Sequence, residues 1–185
     1  MGKVKVMMAI ARKKDNGKIN KGSEEKAIKM IFDEENRDFI LRNLKGIIAQ
    51  YSEYDWRIYE NANWRDTTKA YLLLNRQISG WQMNGDIFGW TKDLHNKWLS
   101  CLMAPESRFS GDTNVILDLD NPELEEAFDA FLEINVVSVQ EKYKTPNGVH
   151  YIVNAIDSRM FDDTIFSGKI DIIRDGLKLI YFKED

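Results

Sequence analysis

The chain predicts an α+β fold, with a helix-rich αβ N-terminal half and a second half ordered βαββ and then ββ. Three observations predict it. Short apolar runs of strand length recur in the second half, at residues 114–120, 149–156 and 169–174. Stripes of helical period occupy the first half: Phe39, Ile40, Leu44, Ile47 and Ile48, then Ala70, Leu73, Leu74, Gln77 and Ile78. Turn signals, Pro146-Asn147-Gly148 and Asp175-Gly176, sit between the later runs, where hairpins need them. With 185 residues, 43% of them apolar, the chain fits one domain of two tightly joined halves, residues 1–104 and 105–185. Their seam is expected near 104–112.

The elements follow in order. Residues 3–11 alternate weakly and predict a strand. Asp15-Asn16-Gly17 is a turn signal, and Ser23 with Lys26 in the following turn predicts a helix start. Helices are predicted over 36–51 and 66–81, with a short strand at 56–60 between them. Residues 83–89 read as a turn-rich bridge, 92–103 as a helix and 105–112 as a polar loop. A strand over 114–120 leads to a helix over 122–131, where Pro122 suits the first turn. Strands over 136–143 and 149–156 flank the Pro146 turn, and strands over 169–174 and 177–182 flank Asp175-Gly176. Trp56, Tyr59, Trp64, Trp81, Trp90 and Trp98 read as core and packing between the halves.

The net charge is −4 and the pI near 5.3, which is not the global footprint of a nucleic-acid binder, although a local basic groove is compatible with it. Cys101 is the single cysteine, so neither an internal disulfide nor a multi-cysteine zinc site is available. Residues 1–8 lack a signal-peptide core, and no stretch approaches the ~20 apolar residues of a membrane span. The expectation is a soluble, cytoplasmic protein with no membrane partner.

Carboxylates inside apolar runs are costly to desolvate unless something pairs with them. Asp118 and Asp120 lie two apart on a predicted strand, so both point to one face while Leu117 and Leu119 face a helix-covered core. Asp171 interrupts Ile170, Ile172 and Ile173, whereas Asp175 beside Gly176 is explained by its turn. Asp120 could instead cap the following helix, and His150 could be an ordinary strand histidine. His95 lies in a polar helical context and reads as surface. Three acids with one histidine on a sheet have the makings of a divalent-metal site, and oxygen ligands suit Mg²⁺ or Mn²⁺. Two such ions stabilise both the attacking and leaving oxygens of phosphoryl transfer.

The segments Val115-Ile116-Leu117-Asp118-Leu119-Asp120, Thr145-Pro146-Asn147-Gly148-Val149-His150 and Lys169-Ile170-Asp171 together resemble the archaeo-eukaryotic primase superfamily, especially its primase-polymerase branch. Order and spacing carry the resemblance, which spans roughly residues 50–183. It implies an RRM-like βαββ catalytic half packed on the helix-rich half. It further implies a metal-dependent nucleotidyltransferase that makes or extends a primer on a single-stranded or primed DNA template from nucleoside triphosphates. Asp118, Asp120 and Asp171 would be catalytic and hold a two-metal Mg²⁺ or Mn²⁺ site. His150, with Asn147 and Gly148, would contact the nucleotide, and Lys142, Lys144 and Arg159 are candidates for its phosphates. Arg57 and Arg65 are candidates for lining a groove in the first half. Gly148 stands where the family often carries serine. A helicase or other replication protein is an implied partner, and the small layout suits a phage or plasmid replication gene. Two other readings stay open. One is a non-catalytic RRM-like module binding nucleic acid or protein, with Tyr143 and Tyr151 as stacking candidates; the other is a metal-dependent nuclease.

Overall fold

The computed structural model describes residues 2–12, 15–16, 26–85 and 91–182. Helices and two antiparallel sheets make the fold α+β. The first sheet has the order β2-β1-β3-β9, built from β1 (Lys3–Ala11), β2 (Lys26–Phe32), β3 (Trp56–Asn61) and β9 (Leu177–Phe182). A two-residue strand, β4 (Arg65–Asp66), also pairs with β1. β1 is central and apolar on both faces, because helices cover both. Met7, Ala9 and Ala11 pack with Leu44 and Ile48 of α1 (Arg37–Ala49). Val6 packs with Ala70 and Leu74 of α2 (Thr67–Met83) and with Leu99 and Leu102 of α3 (Leu94–Met103). Asp66 caps α2, its carboxylate accepting from the N–H groups of Thr68 and Lys69.

The second sheet has the order β6-β7-β5-β8, from β5 (Val115–Leu119), β6 (Val139–Lys144), β7 (Val149–Val153) and β8 (Ile170–Arg174). α4 (Glu125–Ile134) covers one face, where Phe128 and Leu132 bury Leu117, Leu119, Val149, Tyr151 and Val153. Phe161 and Phe166 complete that core, with Phe128 edge-on to Tyr151 at 5.1 Å. The opposite face looks toward the first sheet: Ile116 and Ile152 pack on Ala62, just after β3.

Several expectations change. The helix start at Ser23 and the Gly17 position of the turn lie outside the described residues, as do residues 86–89 of the bridge and Trp90. Lys26, expected in a first helical turn, opens β2 instead, because Ile28, Met30 and Phe32 alternate onto the α1 core and β1 offers a seven-residue ladder. Nor is the division into halves clean. The hairpin expected at Asp175-Gly176 does not form: β9 follows β8 of the second sheet through that tight turn, but leaves β8 to pair with β3 of the first sheet. The 105–112 region is no free linker, since Phe109 N–H donates to Trp64 O and Trp64 N–H to Asp112 Oδ2, both at 2.8 Å. Among the described residues no helix is long and apolar enough to cross a membrane.

Candidate functional site

Register places the site. β5 is flanked by β7 and β8, and Asp118 is directly opposite both His150 and Asp171. One face of three neighbouring strands therefore carries a line His150–Asp118–Asp171. The strands hold this line because the alternate residues are locked under α4; a one-residue slip would bury the acids there. Gly148 sets the approach of β7 to β5, for a Cβ at this position would lie 2.0 Å from the Leu119 carbonyl oxygen and 2.9 Å from Asp120 Cα. The β6–β7 turn is closed by the Thr145 N–H donating to Gly148 O at 2.9 Å and the Gly148 N–H to Thr145 Oγ1 at 3.1 Å.

His150 is held from both sides. Its Nε2 lies 2.9 Å from Asp118 Oδ1, and its Nδ1 lies 3.1 Å from the Tyr143 hydroxyl. A carboxylate only accepts, so in the neutral ring the hydrogen that suits both neighbours is on Nε2, with the Tyr143 O–H donating to Nδ1. Burial, reinforced by nearby Glu141, Asp118 and Glu60, pushes the Tyr143 hydroxyl well above the ordinary tyrosine range despite an opposing hydrogen bond from the Leu179 backbone, so it stays a donor. The His150 contact to Asp118 is close but off the line of a hydrogen bond. Asp118 Oδ1 is thus a buried carboxylate oxygen with no aligned hydrogen-bond partner among the described residues. Directly across β5–β8, Asp171 adds a second negative charge, an arrangement that is repulsive in an isolated sheet. Both features fit a hard cation, and the donor set has the right chemistry for one. The fit is partial: among the described residues no group of three or more His, Cys, Asp or Glu is gathered closely enough to hold an ion.

Asp120 lies exposed immediately beyond β5. It caps no helix: Asn121 caps the short 3-10 turn Pro122–Leu124 that leads into α4, accepting from Glu123 N–H at 3.0 Å. Asp171 is exposed on β8, and Asn147 is exposed in the turn beside Gly148. Lys142 does not share the face of His150. It pairs across β6–β7 with Tyr151, so alternation points it under the helix, where Glu125 and Asp129 take its ammonium at 2.7 and 2.6 Å. Burial opposes that charge, but the two carboxylates still raise the lysine above its ordinary range. Arg159 lies past the end of β7, with its guanidinium on Asp157. That guanidinium holds the Asp157 carboxyl down at about 2. Lys144 is exposed and borders the inter-sheet cleft.

The two arginines expected in a groove are committed elsewhere. Arg57 pairs with Asp15 at 2.9 Å. Arg65 is fully buried, bonding Asp175 Oδ2 at 2.8 Å and Ala104 O at 3.3 Å, with Nε and Nη2 lacking hydrogen-bond partners among the described residues. Asp175, in the β8–β9 turn at φ 59°, also accepts from Asn63 Nδ2 at 3.2 Å.

Cations that do face the cleft come from strands of the first sheet and from α1. Lys5, Arg37 and Lys178 line it with Glu60 and Glu141, between aromatic walls from Phe32 and Trp64. Tyr143 lines the adjoining hollow and links the cleft to His150. The signal that marks Asp118, a charge inside an apolar run, also marks Lys5 between Val4 and Val6, and Lys178 between Leu177 and Leu179. Among family models, curated proteins and solved structures, nothing matches this chain.

Proposed function

We propose that this chain is a primase-polymerase-type nucleotidyltransferase, acting on nucleoside triphosphates with a DNA primer and template. The observation that carries the reading is the alignment of His150, Asp118 and Asp171 across β7, β5 and β8 on the sheet face that looks toward the first half. The connectivity β5-α4-β6-β7-β8 and spatial order β6-β7-β5-β8 support an RRM-like catalytic half.

In this reading Asp118 and Asp171, with Asp120 at the strand end, would hold Mg²⁺ or Mn²⁺. When bound, such an ion supplies charge neutralisation for the transferring phosphoryl group and lowers the pKa of the attacking hydroxyl. The chain's own residues supply position and charge. His150, fixed by Tyr143 and Asp118, would present its Nε2–H to a phosphate oxygen. The cleft cations Lys5, Arg37 and Lys178 take the phosphate role earlier expected of Lys142 and Arg159. The 3′-hydroxyl of a primer would then attack the α-phosphate, and pyrophosphate would leave.

A base-stacking module is less well supported, because Tyr151 is fully buried against α4 and Tyr143 is engaged with His150. Primer extension with labelled nucleotides and Mn²⁺ tests the proposal. Wild type extends the primer, and Asp118→Ala with Asp120→Ala does not. Loss of template in place of extension would identify a nuclease. Neither activity, with strand binding unchanged by the substitutions, would identify a binding module.

A further inference from the structure

One ion pair spans the inter-sheet cleft. Glu141 projects from β6, the edge strand of the second sheet, and pairs with Lys178 of β9 in the first. Two hollows, of 380 and 400 Å³, are both lined by Arg37, Glu141 and Lys178. One contains Tyr143, the link to His150; the other contains Lys5, Phe32 and Trp64.

The charges beneath Glu141 are unequal. Glu60 is buried, 3% exposed, and is fixed by Arg37 at 3.0 Å and Lys178 at 3.7 Å. Arg37 also reaches Asp38 at 3.5 Å, but that carboxylate is itself largely in solvent. Lys5 sits 5.0 Å over the Trp64 ring and donates to Ala62 O at 3.3 Å. Its burial, with Lys178 nearby and only partly offset by Glu60, Glu141 and Asp112, holds its amine below the ordinary lysine range. Glu141 is 51% exposed and can leave by rotation alone. Its departure would leave three cations facing one buried carboxylate and would join the two hollows.

We propose that Glu141 is a displaceable stopper: its carboxylate occupies the place on Lys178, in a cleft also lined by Arg37, that a polyphosphate chain takes, and the ligand opens the cleft by displacing it. The identity of the ligand as a nucleoside triphosphate rests on the function proposed above. The anion site itself rests on the cleft alone. No covalent step is involved.

The test is calorimetric titration of inorganic tripolyphosphate into the 185-residue chain as wild type, Glu141→Gln and the double variant Glu141→Gln with Lys178→Gln. Removing the competing charge is expected to tighten binding roughly fivefold, on the scale of a half-exposed ion pair. The gain should vanish in the double variant and shrink with added salt. Glu141→Ser, read beside it, should show the same gain if the glutamine side chain itself blocks the cleft. Equal binding by wild type and both single variants overturns the stopper, and a gain that survives loss of Lys178 overturns the site. Primer extension is read separately on wild type. Tighter tripolyphosphate binding without extension would leave the stopper standing and remove the polymerase reading, while extension without tighter binding would do the reverse.

Discussion

Gly148→Ala is the most direct probe of how the site is positioned. The new methyl would meet the Leu119 carbonyl oxygen at 2.0 Å, where ordinary contact begins at 3.4 Å, so one backbone must retreat about 1.4 Å. Neither neighbour is a flexible side-chain end. The oxygen belongs to β5, and the first pair to open would be Leu119–Val149, followed by Asp118–His150. Overpacking of this kind costs about 1–3 kcal/mol, and each ladder hydrogen bond lost adds about 1. A total of about 3–4 kcal/mol is therefore expected, a large part of the 5–15 kcal/mol typical of a domain. Urea unfolding of Gly148→Ala and Gly148→Ser should show the loss, and the His150 imidazole resonances should move in both. Gly46→Ala is the control: it lies inside α1 with nothing within 4 Å of its new methyl, and should gain about 0.5–1 kcal/mol. If Gly148→Ala unfolds within 0.5 kcal/mol of wild type, the backbone contact does not set the spacing of β5 and β7 and the argument fails.

Asp175→Asn should cost about 3 kcal/mol in the same assay, since it strands the buried Arg65 guanidinium while keeping a residue that tolerates positive φ; adding Arg65→Met should recover part of that loss, and additive losses would argue against the pairing. Without divalent ions, Asp171→Asn is expected to leave stability unchanged or raise it by up to about 0.5 kcal/mol, because it relieves the repulsion across β5–β8; it should also abolish any Mn²⁺-dependent rise in the melting temperature of wild type. The hydroxyls of Tyr143 and Tyr151 are both raised by burial, so the unfolded chain loses these protons first and stability falls as pH climbs above the ordinary tyrosine value of about 10. Chemical unfolding between pH 9 and 11 should show that slope, reduced in Tyr143→Phe and in Tyr151→Phe; an unchanged slope would refute the assignment.

Strands β5, β7 and β8 were legible because each is an apolar run bounded by turn residues, and α1, α2 and α4 because their apolar residues recur at helical spacing. Asp118 and Asp171 were legible for a related reason: a carboxylate that breaks an apolar run must be explained. That they are cross-strand neighbours was not, since register depends on turn geometry and packing under α4, which no local pattern encodes. Lys142 shows the cost. Its nearness to His150 along the chain is real, but the pairing of Tyr143 with His150 gives it the opposite parity and sends it to Asp129. β2 was hidden because Lys26-Ala27-Ile28-Lys29 suits a helix as well as a strand, and only the open edge of β1 decides between them. The cleft cations were passed over although Lys5 and Lys178 carry the same mark as Asp118.

The pairing of β9 with β3 has a consequence for biosynthesis. Tyr59 and its partner Leu179 are far apart along the polypeptide, so one edge of the first sheet stays bare on the ribosome until β9 has emerged. That exposed edge is a template for mispairing with other nascent chains. Truncations that stop short of Leu177 should therefore aggregate instead of yielding an independently folded N-terminal piece, and maturation should be governed by the slow closure of this long loop.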